Sequence, residues 1–188
     1  VFLLQADQQT GQVTIIEFPA LPKACAFGAA ALVGETKDKD GVVFLAGGQG
    51  GASLDTATNK MWSLDLSKRD DTAAFVWKKE ADVPGPTRAL NLTLAQHDGY
   101  EESIYVISGR RQNGEAVQFL TDVWQYKPSS KTWRSRADVP KCVMAGTGIA
   151  WGQSHLLVLG GADGSMFFKT EELRDNHPGF PKQAWAYH

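Results

Sequence analysis

Three short apolar runs set the pattern of the chain. Val42-Val43-Phe44-Leu45-Ala46, Ile104-Tyr105-Val106-Ile107 and Leu156-Leu157-Val158-Leu159 are rich in β-branched, aromatic and leucine residues, and each stops at a small pair: Gly47-Gly48, Ser108-Gly109 or Gly160-Gly161. Apolar runs this short, bounded by turn residues, read as buried strands rather than helices. A second feature follows each run: Met61-Trp62-Ser63-Leu64, Val123-Trp124-Gln125-Tyr126 and Ala184-Trp185-Ala186-Tyr187, with the tryptophans 62 and 61 residues apart. A third is Val76-Trp77 followed by Ala81-Asp82-Val83-Pro84, which returns 56 residues later as Thr132-Trp133 followed by Ala137-Asp138-Val139-Pro140.

Self-similarity at one period marks a repeat architecture, in which a single unit cannot bury both its faces and must stack on its neighbours. The apolar run with its glycine pair, then one Trp strand, then a second, resembles the kelch pattern. That pattern repeats about every 50 residues, so the intervals of 62 and 61 require longer loops. The expected fold class is all-β: a kelch-type β-propeller of antiparallel blades with four strands each. Residues 1–22 supply strands 3 and 4 of a preceding blade, from Val1-Phe2-Leu3-Leu4 and Val13-Thr14-Ile15-Ile16-Glu17-Phe18. Residues 23–84 and 85–140 are one blade each, and 141–188 are an incomplete blade. Trp62, Trp77, Trp124, Trp133 and Trp185 are expected to fill the space between blades. Propellers close with about four to eight blades. The chain then supplies about three, half of a six-bladed ring, with the rest coming from a longer chain or a second copy.

Composition narrows the function. The 188 residues carry 19 Lys and Arg against 21 Asp and Glu, a net charge of −2. The cations are scattered with no basic stripe, so nucleic acid is not an expected partner. No apolar run approaches the roughly 20 residues that span a bilayer, so neither is a membrane. Cys25 and Cys142 fall at the starts of equivalent strands two blades apart, too distant for a disulfide, and read as structural. His97 and His155 fall in the 1–2 turns, away from the propeller mouth. No metal and no cofactor is expected, because a copper-oxidase site needs Tyr, His and Cys ligands gathered at that mouth. Gly48-Gln49-Gly50-Gly51 lacks the spacing of a nucleotide loop and no helix follows it. Asn91-Leu92-Thr93 matches a glycosylation sequon but falls in a channel-lining strand. The first residue is Val rather than Met, which leaves a processed signal peptide open.

Strand direction alternates within a blade, so the 2–3 and 4–1 connections share one end and form a mouth around the axis. The 2–3 loops place Gln49, Gly50 and Gly51 there, then Arg110, Arg111, Gln112 and Asn113, then the long stretch after Gly161 with Asp163, Glu171, Glu172, Arg174 and His177. The 4–1 connections add Lys23 to Cys25, Gly85 to Arg88, and Lys141 to Met144. Long loops on a rigid scaffold are where function usually sits.

The stretch from Ile104 to Gly161 resembles the bacterial sialic acid mutarotases (N-acetylneuraminate epimerases). Ile104-Tyr105-Val106, Thr121-Asp122-Val123-Trp124-Gln125-Tyr126, Lys131-Thr132-Trp133 and Met144-Ala145-Gly146 carry the likeness, and Pro86-Thr87-Arg88 is similar to the family's entry into its second blade. The long loop after Gly161 is similar to the family's enlarged third-blade insertion. Val1 to Phe18 resembles the family's C-terminal strands moved to the front, which with His177-Pro178-Gly179-Phe180-Pro181-Lys182 is similar to the cyclically permuted mutarotase branch. The resemblance implies a periplasmic isomerase of carbohydrate metabolism that interconverts the anomers of N-acetylneuraminate without a metal. The family's acid/base Glu belongs to a blade outside these residues, so the catalytic residues here are unknown and the isolated piece is expected to be inactive. Arg88 is the expected ligand of the substrate carboxylate, because its fork binds both oxygens; a packing role for the same arginine stands beside it. Arg110, Asn113 and His177 are the further expected substrate contacts. A non-catalytic kelch module, binding a protein or glycan at the same mouth, is the other reading.

Overall fold

The apolar runs become strands of four antiparallel sheets in the structure, a computed structural model that describes residues 1–188 apart from the side chain of Leu54. β1 (Phe2–Ala6) and β2 (Val13–Glu17) form a two-stranded sheet. β3 (Ala29–Val33), β4 (Val42–Ala46), β5 (Met61–Asp65) and β6 (Lys78–Lys79) form the first full sheet, in that order. β7 (Leu92–His97), β8 (Glu102–Asn113), β9 (Ala116–Lys127) and β10 (Thr132–Arg136) form the second. β11 (Thr147–Trp151), β12 (His155–Leu159) and β13 (Ala184–Tyr187) form the third. Every strand pairs with its neighbour in sequence, the meander of a propeller blade.

Stacking explains why the central runs lack polar interruptions. On β8, Ile104 and Val106 join a core with Val33, Phe44, Met61, Val83 and Tyr126 of the first and second sheets. Tyr105 and Ile107, pointing the other way, join Leu92, Val123, Val143, Leu156 and Val158 of the second and third. A strand buried on both faces cannot alternate apolar with polar. Trp124 and Trp133 pack against the first core and Trp185 against the second, while Trp77 donates its indole N–H to Pro19 O at 3.0 Å.

The small pairs share one backbone conformation, after β4 and β12 and as a bulge inside β8. Gly47 and Gly48 have φ of 69° and 98°, Ser108 and Gly109 59° and 111°, Gly160 and Gly161 62° and 84°. A Cβ on Gly161 would stand 2.8 Å from Val143 O, so the close approach excludes a side chain as well as the dihedral does. At the innermost point the sheets are linked in series: Leu90 N–H donates to Phe27 O at 2.7 Å, and Ala145 N–H to Leu90 O at 2.9 Å. Phe27, Leu90 and Ala145 share left-handed φ values of 56°, 58° and 54°.

Three sequence expectations need correction. Residues 110–113 are not a loop: β8 and β9 run on as a hairpin, with Arg110 opposite Phe119 and Asn113 opposite Ala116. Gly114, with φ 63°, takes the first turn position, and the sheet backbone is satisfied by pairing however polar the side chains are. The stretch after Gly161 contains a helical turn, α1 (Thr170–Leu173). Cys25 and Cys142 are not in matching positions. The repeated bridge pairs Ala26 with Gln49, Ala89 with Arg110 and Met144 with Ala162, so Cys25 matches Arg88 and Val143. Among the described residues no helix is long and apolar enough to cross a membrane.

Candidate functional site

The repeated bridge brings one residue of each sheet to the same place at the mouth: Gln49, Arg110 and Ala162. Arg110 is the exceptional one. It is only 9% exposed, its Nε is buried with no hydrogen-bond partner, and among the described residues it joins no ion pair. Its guanidinium carbon lies 4.5 Å from the centroid of the Phe167 ring. Burial pushes its pKa below the ordinary arginine value. A buried charge without a partner is costly. Next to it in the ring of sheets, Gln49 is also buried and leaves Oε1 without a partner, while its Nε2 donates to Gly51 O at 2.9 Å.

Phe167 connects Arg110 to the third sheet's long loop. Its ring meets Phe119 of the hairpin edge-on at 5.7 Å and Phe168 at 4.9 Å. Gly164, with φ 90°, lies flat against the Phe119 ring, where a Cβ would overlap it. The docked segment walls a cavity of about 520 Å³. Its other wall is His177-Pro178-Gly179-Phe180-Pro181. His177 Nδ1 accepts from Gly179 N–H at 3.0 Å, which leaves the proton of the neutral ring on Nε2 as a donor. Asp163, also lining the cavity, is held below the usual carboxylate range by bonds from Ser165 and by nearby Lys141.

Arg88 has a different setting. Its side chain is fully buried, and its terminal nitrogens meet both Asp122 oxygens at 3.0 and 2.6 Å. Nη1 also donates to Ser108 O at 3.2 Å, and Nε is buried without a partner. The expectation that Arg88 receives a substrate carboxylate therefore meets a fork already filled by a carboxylate. Asn113 stands exposed at the far end of the hairpin, and Glu171 and Glu172 are exposed on α1. Asn91 is buried and bonded to Ala46 O and Thr93, so its sequon is closed off. Among the described residues no group of three or more His, Cys, Asp or Glu is placed to hold a metal ion.

Phe167 lines the cavity that His177 also lines and carries Arg110 on its ring, so Arg110 adjoins that cavity through Phe167 while Asn113 stands apart. Sequence reasoning missed Phe167, Phe119 and Asp122. Phe119 and Asp122 fall in a stretch whose strand pattern was visible, but no local signal marks Phe167, which acts through a contact 57 residues away in the chain.

No family model matches the chain. It is 30% identical over 168 residues to the N-acetylneuraminate epimerase of Haemophilus influenzae, covering 88% of this chain and 37% of that protein. It is 29% identical over 149 residues to the Pasteurella multocida protein of the same name, covering 78% of this chain and 34% of that one. The chain therefore spans little more than a third of these curated relatives. The solved structure of YjhT matches with a TM-score of 0.67 at 17% identity, over 97% of this chain and 48% of that one. The chain has the stacked antiparallel sheets of a partial propeller, and over most of its length it is similar in sequence to proteins named N-acetylneuraminate epimerase.

Proposed function

We propose that these residues form one side of the mouth of a six-bladed kelch propeller, a cyclically permuted sialic acid mutarotase of the periplasm, and that Arg110 binds the carboxylate of N-acetylneuraminate or a related sugar acid there. The unpaired, buried Arg110 guanidinium is the observation that carries the reading. The likeness to proteins named N-acetylneuraminate epimerase supports it independently.

Anomer exchange opens and recloses the sugar ring. One group takes the proton of the anomeric hydroxyl and another protonates the ring oxygen. Arg110 fixes the acid end of the sugar, and the cavity beside Phe167 receives its body. His177 Nε2–H donates to a sugar oxygen, and Asn113 reaches the substrate only from the hairpin tip. The acid/base pair comes from blades beyond these residues, in a longer chain or a second copy, so this piece alone binds without turning over.

Proton NMR of freshly dissolved crystalline N-acetylneuraminate tests the reading with the full-length protein. The anomers should equilibrate faster than in buffer. A rate equal to buffer, with the sugar neither bound nor exchanged, overturns it and leaves a non-catalytic binding module.

A further inference from the structure

The three stacked sheets offer an internal comparison for the buried pair between Arg88 and Asp122. The residue before the repeated bridge is Cys25 in the first sheet, Arg88 in the second and Val143 in the third. The residue two before the strand-3 tryptophan is Lys60, Asp122 or Gln183. All three sheets build the same bridge and the same left-handed pair. The fold therefore does not require an ion pair at this place, and a buried pair adds little net stability over apolar residues of similar volume. What the second sheet has and its siblings lack is an arginine after the pair, where they carry Gln49 and Ala162.

We propose that Arg88 and Asp122 are positioning residues that aim Arg110 and keep it uncompensated, an inference that rests on Arg110 being the carboxylate ligand. Arg88 grips Ser108 O, and the Ser108 hydroxyl donates to Leu120 O at 2.8 Å while accepting Val143 N–H at 2.8 Å. These bonds hold a serine at φ 59°, a conformation that siblings reach with glycine. Ser108 is also the bulge between the paired stretches of β8 and β9, so its geometry sets the direction in which the hairpin and Arg110 leave the sheet. Both Asp122 oxygens are engaged. Arg88 takes both, and Trp124 Nε1 donates to Oδ2 at 2.6 Å. Both oxygens are thereby committed to Arg88 and Trp124, and among the described residues Arg110 joins no ion pair.

The test is a double variant, Arg88→Val with Asp122→Gln, which copies the third sheet. The ¹⁵N-resolved Nε–H signal of Arg110, assigned by its loss in Arg110→Lys, reports the guanidinium under the Phe167 ring. The double variant should keep its circular dichroism and melting profile while this signal loses its ring-current shift. Preference for N-acetylneuraminate over its neutral methyl ester should drop by about tenfold to a hundredfold, as expected of a misplaced binding group. Arg88→Lys, which keeps the charge balance but not the fork, should show the same changes to a smaller degree. An unmoved Arg110 signal in a folded double variant overturns the inference. If the wild-type protein shows the ring-current shift but no preference for the acid over the ester, it is the carboxylate reading of Arg110 that fails instead. Should the double variant not fold, an unmoved signal in Arg88→Lys is equally fatal to the inference.

Discussion

Arg110 of the second sheet's hairpin lies over the ring of Phe167 from the third sheet's long loop, with the guanidinium carbon 4.5 Å from the ring centroid. A ring over a guanidinium returns part of the desolvation cost and leaves the in-plane N–H groups free. The contact therefore holds the cation without consuming its hydrogen bonds, unlike the fork that occupies Arg88.

Removing Arg110 should separate stability from binding. Arg110→Met keeps the packing under Phe167 and deletes an unpaired buried charge. Its melting temperature should equal or exceed that of the wild type, while sugar-acid binding weakens by about 1.5–3 kcal/mol, the size of a hydrogen bond to a charged group. Calorimetric titration beside a thermal melt checks both. A variant that is destabilised yet still binds would contradict the assignment.

Breaking the Arg88–Asp122 pair from one side should behave oppositely. Arg88→Met or Asp122→Ala alone strands a buried charge, at a cost of about 3–5 kcal/mol. Urea unfolding should show a lower midpoint for each single variant than for the double variant of the preceding section. Equal midpoints would mean that the pair is not coupled.

Gly164→Ala should unseat the long loop without unfolding the sheets. The position has φ 90° and its Cα faces the Phe119 ring, so a methyl group is excluded on both grounds. Strain of about 1–3 kcal/mol concentrated there should appear as faster hydrogen exchange in residues 162–181. Unchanged exchange in that segment would show that the loop is not held by this contact.

Acid should remove a stabilising contribution from the face opposite the mouth. Burial acts to raise the Asp98 pKa, but bonds from Lys127, the backbone N–H groups of Glu101 and Tyr100, and Gln125 outweigh it and hold the carboxyl well below its usual range. A depressed folded-state pKa stabilises the fold above the unfolded value of about 3.9, and that stability is lost as pH falls below it. Asp98→Asn should flatten the decline in stability below about pH 4. A profile identical to that of the wild type would assign the acid sensitivity to other carboxylates.

Much of the architecture was legible because it repeats. Runs such as Ile104–Ile107, buried on both faces, and the small left-handed pairs that follow them are local requirements, and the chain states them in the three larger sheets. The hairpin beyond Gly109 was not legible: Arg110 to Asn113 are polar enough in sequence to pass for a loop, and only pairing with Ala116 to Phe119 makes them a strand.

The sequence by itself determined the stacked antiparallel sheets, their order and the end of each sheet where the 2–3 and 4–1 connections lie, since periodicity and turn chemistry act over a few residues. It placed Arg88 and Arg110 at that end but could not tell their roles apart. Both are arginines after a strand entry or exit, and composition does not say which one has an anion beside it. Only the tertiary structure decided that, by bringing Asp122 to Arg88 across 34 residues and Phe167 to Arg110 across 57. Charge neutralisation depends on distances of about 3 Å, and such distances are fixed by packing between sheets rather than by the pattern along any one of them.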